Sequence, residues 1–187
     1  MPEWTPPRRD PYVDLADEAA HEAAVRARAE ERDLRARAAE LATWAGTLRD
    51  LAERQVGVVL SGRSGRTHRG AMIAVAEDHV AMRLPGGQIV ALRSDAVTGV
   101  RPEAGLAAVA AMGDREPAQD RTLLELLDRA AEERRRVTVA VEGAQDVLQG
   151  TLVGVGEDIL SLRLESHDRG MVYLRASAVL EVVVEPA

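Results

Sequence analysis

Arg69-Gly-Ala-Met-Ile-Ala-Val-Ala-Glu-Asp-His-Val-Ala-Met-Arg-Leu84 returns, altered but in register, as Gln149-Gly-Thr-Leu-Val-Gly-Val-Gly-Glu-Asp-Ile-Leu-Ser-Leu-Arg-Leu164. At an offset of 80 residues, Gly70, Val75, Glu77, Asp78, Arg83 and Leu84 recur as Gly150, Val155, Glu157, Asp158, Arg163 and Leu164. The match then resumes at an offset of 82, where Val90, Leu92, Arg93, Ala96 and Val97 recur as Val172, Leu174, Arg175, Ala178 and Val179. One small β unit has been duplicated in tandem.

A chain of 187 residues accommodates two such units, and at 46% hydrophobic and 29% charged it can bury two modest cores. Those cores are expected to be Val, Leu, Ile, Met and Ala. The chain has no Phe, two Trp and two Tyr, so aromatic stacking on bases is largely unavailable to it. It has no Cys, which excludes disulfides and thiolate metal sites. No apolar run is long enough for a membrane span and no signal-peptide centre is visible, so the expected compartment is the cytoplasm. All 24 basic residues are Arg. Arg suits bidentate phosphate recognition, but a GC-rich genome also favours it, and a net charge of −7 speaks against a non-specific coat for nucleic acid. Charge is unevenly spread: residues 47–101 carry eight Arg against five acids, whereas residues 122–187 carry seven against twelve. The first unit is basic and the second acidic.

Residues 1–13 include four prolines and read as a disordered tail. Residues 14–54 read as one long N-terminal helix whose Ala-, Arg- and Glu-rich middle has little to bury. Near its end Leu41, Trp44, Leu48 and Leu51 form an apolar stripe, expected to cap the first barrel rather than to continue a coiled-coil seam through Leu34. Strands are expected at 56–60, 69–76, 79–84, 88–93 and 97–101. Residues 102–120 read as a linker, after which Thr122 caps a helix rich in Leu. Strands at 137–142, 147–155, 159–164, 171–175 and 179–185 complete the second unit. The fold class expected is mainly β with helices. It comprises two tandem five-stranded small barrels, each preceded by a helix, the first barrel at 55–101 and the second, with its helix, at 121–187.

This order resembles the bacterial Sm-like family of small SH3-type barrels. The second Sm signature reads apolar, Arg, Gly, two residues, apolar. Leu92-Arg-Ser-Asp-Ala-Val97 and Leu174-Arg-Ala-Ser-Ala-Val179 are similar to it, with Ser94 and Ala176 in place of the Gly. The first signature begins Gly, any residue, Leu, as do Gly70-Ala-Met72 and Gly150-Thr-Leu152 approximately. Its base-contacting Asp and Asn are not reproduced: Val80 or Ala81 stands near the Asn position, and Asp78 falls two residues late. A PRC-type barrel shares the same alternation and remains a rival resemblance.

Candidate sites are few. Glu77-Asp78 and Glu157-Asp158 suit hairpin turns better than acid–base work, because Asp bonds its own backbone there. Arg63, Arg66, His68 and Arg69 crowd one Gly-containing hairpin that can serve either as a phosphate hook or as a loop meeting an acidic surface. Arg93 and Arg175 lie at the corner before the last strand of each unit, placed for phosphate, a base, a carbonyl or a neighbouring acid. The four His lack metal spacing and suit surface or loop positions. No catalytic triad order, phosphate loop or dinucleotide fingerprint occurs. The expected protein is non-enzymatic, without cofactor or metal, a scaffold or regulator acting through protein contacts. The alternative is RNA binding through the first barrel. Sm-like barrels join by pairing strand four of one unit with strand five of the next, which leads to the expectation that the two units touch within the chain and that outer edges produce a dimer or small ring.

Overall fold

The hairpin turns and alternating apolar residues put strands where the repeat implies them. A computed structural model of the chain describes residues 11–103, 121–165 and 170–186. Within them the first unit holds strands β1 (Gly57–Gly62), β2 (Thr67–Val75), β3 (His79–Arg83), β4 (Ile89–Arg93) and β5 (Val97–Pro102). The second holds β6 (Arg136–Val141), β7 (Leu148–Val155), β8 (Ile159–Leu164), β9 (Met171–Arg175) and β10 (Val179–Val184). A single 3-10 turn joins β4 to β5 and β9 to β10.

The strands do not form two closed barrels, which corrects the fold class expected from the sequence. They form one open, antiparallel ten-stranded sheet in the order β5-β1-β2-β3-β4-β10-β6-β7-β8-β9. In each unit the fifth strand returns to the first, β5 to β1 and β10 to β6, but the fourth never meets its own fifth. The partner of β4 is β10 instead, with Leu92 opposite Glu181 and Ile89 opposite Val184. The expected contact between strand four of one unit and strand five of the other is therefore present within the chain.

This seam is shared by both cores. The first core gathers Leu60, Met72, Met82, Val90 and Leu92 and takes in Val183 from β10. The second gathers Leu127, Val139, Leu152, Leu160 and Leu162 and takes in Ala91 from β4. The repeated glycines have matching jobs. A Cβ on Gly70 would lie 2.2 Å from the Arg83 carbonyl oxygen, and one on Gly150 would lie 2.2 Å from that of Arg163. Each glycine lies two residues before the last ladder pair, at Met72 or Leu152, ahead of a register shift, and at the glycine itself the strands approach too closely for a side chain.

The helices depart from expectation. The single helix foreseen at 14–54 is two, α1 (Pro11–Glu40) and α2 (Trp44–Glu53). The chain breaks where the Thr43 hydroxyl accepts the Gly46 N–H at 3.0 Å, a side-chain N-cap. Thr122 caps α3 (Leu123–Glu132) in the equivalent place, with Glu125 completing a capping box. Leu48 and Leu51 are buried on the first core as expected, but Leu41 is 71% exposed and Trp44 45%. The break at Thr43 separates Leu41 from the packed turn, and Trp44 stands at its first, open position. Pro11, Tyr12 and Val13, placed in the tail from sequence, belong to α1, and the rest of that tail lies outside the described residues. Of the foreseen linker, Pro102 ends β5 and Glu103 follows it, while 104–120 lies outside the described residues.

Candidate protein-interaction surface

The basic hairpin between β1 and β2 turns inward on an acid of the other unit. Glu181, in the middle of β10, is 1% exposed. Its Oε2 accepts the Ser64 hydroxyl at 2.8 Å, and its Oε1 lies 2.9 Å from Arg66 Nε and 3.1 Å from His68 Nε2. Burial alone would raise its carboxyl pKa. The close His68 ring, the Ser64 hydrogen bond and the Arg66 charge outweigh that and hold it below the ordinary value. Arg63 completes the contact by pairing with Glu142 of the second unit.

Replacing Glu181 by Gln should cost about 1.5–3 kcal/mol at neutral pH, the range for hydrogen bonds to a charged group. A carboxyl whose folded pKa is depressed stabilises fully above its unfolded pKa, near 4.3, and loses that contribution as pH falls through the folded value. Urea melts should show the full gap between wild type and Glu181→Gln above about pH 5, and a shrinking gap below about pH 4. A gap constant down to pH 2 would contradict the ion pair.

A second bridge crosses the seam at the turn before β3. Asp78 Oδ2 accepts the backbone N–H of Leu123 at 2.9 Å, tying the first turn of α3 to the first unit. Asp78 Oδ1 meets His79 Nδ1 at 2.8 Å. His79 and His68 are buried, contrary to the surface positions expected for them. His21 is exposed, as expected, and His167 lies outside the described residues. Arg93 also works at the seam: it donates to the carbonyl of Ser177 and pairs with Asp95. Outside these bridges a shallow groove of about 340 Å³ runs between Asp78, Arg93, Leu123, Leu124 and Ala176.

The structure thus brings Arg63, Arg66, His68 and Arg93 to the seam and sets Arg69 apart, paired with Glu103 at 2.6 Å. Arg175 stands at the far end of the sheet, exposed and without an ion pair among the described residues. Sequence reasoning did not place Glu181, Asp78 or His79 at the seam. For Glu181 a signal was available, since it is the lone charge inside the apolar run Val179-Leu-Glu-Val-Val-Val184.

Among the described residues two sheet edges have no paired strand, β5 and β9. Ala176 donates its N–H to Asp158 and Leu164 donates to Gly170, so even-numbered positions of β9 serve β8. Strand alternation then turns the N–H and C=O groups of Met171, Tyr173 and Arg175 outward. Their side chains share one face with Ile159, and Tyr173 is 66% exposed, with Met171 and Ile159 exposed as well. On β5, Glu103 donates its N–H inward to Gly57, so Val100 and Pro102 face outward, and Pro102 has no N–H to offer.

Among the described residues no cluster of His, Asp and Glu is placed to hold a metal ion, and no helix is long and apolar enough to cross a membrane. No family model matches the chain, and no curated protein matches it.

Proposed function

We propose that this protein is a non-enzymatic scaffold that works through protein contacts, made by adding a strand to its open β9 edge. The observation that carries this reading is the contrast between the paired β4 and its repeat counterpart β9. Ile89 and Ala91 of β4 meet β10, while Met171 and Tyr173, at the equivalent places, offer backbone groups and apolar side chains to solvent. Strand addition draws affinity from main-chain hydrogen bonds and selectivity from alternate side chains, and both are present here. The resemblance to Sm-like proteins agrees with edge-to-edge joining.

RNA binding through the first unit has less support. Arg63, Arg66, Arg69 and Arg93 each already pair with a carboxylate, of Glu142, Glu181, Glu103 and Asp95. One experiment separates the readings: capture from host extract on the full chain and on Tyr173→Pro, with protein and RNA both identified. Proteins held by the wild type and lost by the variant are the expected result. RNA held equally by both, and released steeply as salt rises, would overturn it.

A further inference from the structure

We infer that the partner of the β9 edge is the β9 edge of a second copy, joined antiparallel across a two-fold axis at Tyr173; this rests on the reading of β9 as a docking edge. The alternative, head-to-tail repetition of the inner seam, would place β9 of one copy on β5 of the next. The repeat offset shows what that would require. Gly99, Arg101 and Pro102 stand where Glu181, Val183 and Val184 make the inner seam, and Tyr173 stands where Ala91 does. Val183 is buried in the neighbouring core, so Arg101 would carry a charge into apolar surroundings. Ala91 is fully buried in the other core, so a Tyr there would overfill it. Pro102 would leave a gap in the ladder where Val184 pairs with Ile89. A charged side chain and a proline on an edge strand are known means of blunting it, and β5 has both in Arg101, which is exposed, and Pro102.

Among the described residues β9 has no proline, and its one charge, Arg175, is exposed. A two-fold axis at Tyr173 places Met171 opposite Arg175 of the second copy and Tyr173 opposite Tyr173. All three residues turn their hydrogen-bonding groups outward, so every pair of the new ladder is complete. The side chains form rows in which Tyr173 meets its twin and the Arg175 stem lies between Ile159 and the twin Met171, covering the exposed apolar face. Two-fold pairing also closes on itself, giving a dimer and no larger species.

Salt and cysteine chemistry test this on the full chain. The second units carry like charge, so a β9-to-β9 dimer should persist or tighten as salt rises, whereas a basic first unit docked on an acidic second unit would loosen. The chain has no native Cys, so Tyr173→Cys introduces one unique thiol. Opposed residues in such a ladder lie about 5.5 Å apart at Cα, within disulfide reach. The expected results are a dimer mass by light scattering at low and high salt, an oxidised dimer from Tyr173→Cys but not from Val100→Cys, and a monomer with unchanged circular dichroism for Tyr173→Pro. Larger assemblies that dissolve in salt, or a cross-link through Val100→Cys, would overturn the two-fold in favour of head-to-tail growth. A wild-type monomer at every salt and concentration would overturn the dimer, and the docking reading of β9 would then be decided separately by the capture experiment.

Discussion

Gly70→Val and Gly150→Val should each destabilise the chain by about 3 kcal/mol or more, at the upper end of the cost of overpacking. Even a methyl group at either site would stand 2.2 Å from a backbone carbonyl, where no flexible side chain can yield. Relief requires the second and third strands of the unit to part, which loosens the ladder that pairs Ala71 with Arg83 in one unit and Gly150 with Leu164 in the other. Neither glycine has a left-handed backbone, so the effect arises from close approach and not from φ. Gly99, with open space where its Cβ would go, is the internal control, and Gly99→Ala should change stability little. Urea unfolding of the three variants checks the ranking, and equal effects at Gly99 and Gly150 would contradict it.

The same repeat that exposed these glycines made the strands legible, because a two-residue apolar period and Glu-Asp turns are local properties. Closure is not local. Whether β4 finds its own fifth strand or that of the other unit depends on edges with the same alternation, and nothing in Ile89-Val-Ala-Leu-Arg93 alone distinguishes them. The pairing was foreseen from the Sm-like resemblance, while the barrels that resemblance implied did not follow. The seam's chemistry was half legible. The basic hairpin stood out, and an acidic surface was one of its two expected counterparts, but Glu181 lay more than a hundred residues away. Asp78 was read as turn chemistry. Its carboxylate instead reaches the first turn of α3, a contact that exists only once the two units are side by side. His79, expected at the start of β3 with a surface or loop position, is buried next to that carboxylate. The break in the N-terminal helix had a signal that went unread: Thr43 precedes Trp44 as Thr122 precedes Leu123, both at a helix cap.

That break decides what the N-terminal helices contribute. Leu48 is buried beside Leu51, Val58 and Met72, so Leu48→Ala should cost about 2–4 kcal/mol through lost burial and the cavity left behind. Ala27 lies on the exposed surface of α1, and Ala27→Gly should cost no more than about 1 kcal/mol, the difference in helix propensity. Equal costs would mean that α1 packs as firmly as α2, against the exposure of Val25, Leu34 and Leu41. The form of the Leu48→Ala transition carries further information. Val183 of the second unit lies in the same core as Leu48, and Ala91 of the first unit lies in the core of the second. Neither unit can unfold without opening the core of the other. The lost stability should therefore appear as an earlier midpoint of one transition, with near-UV and far-UV circular dichroism coinciding. Two separated steps would mean that the β4–β10 seam joins the units without coupling their stability.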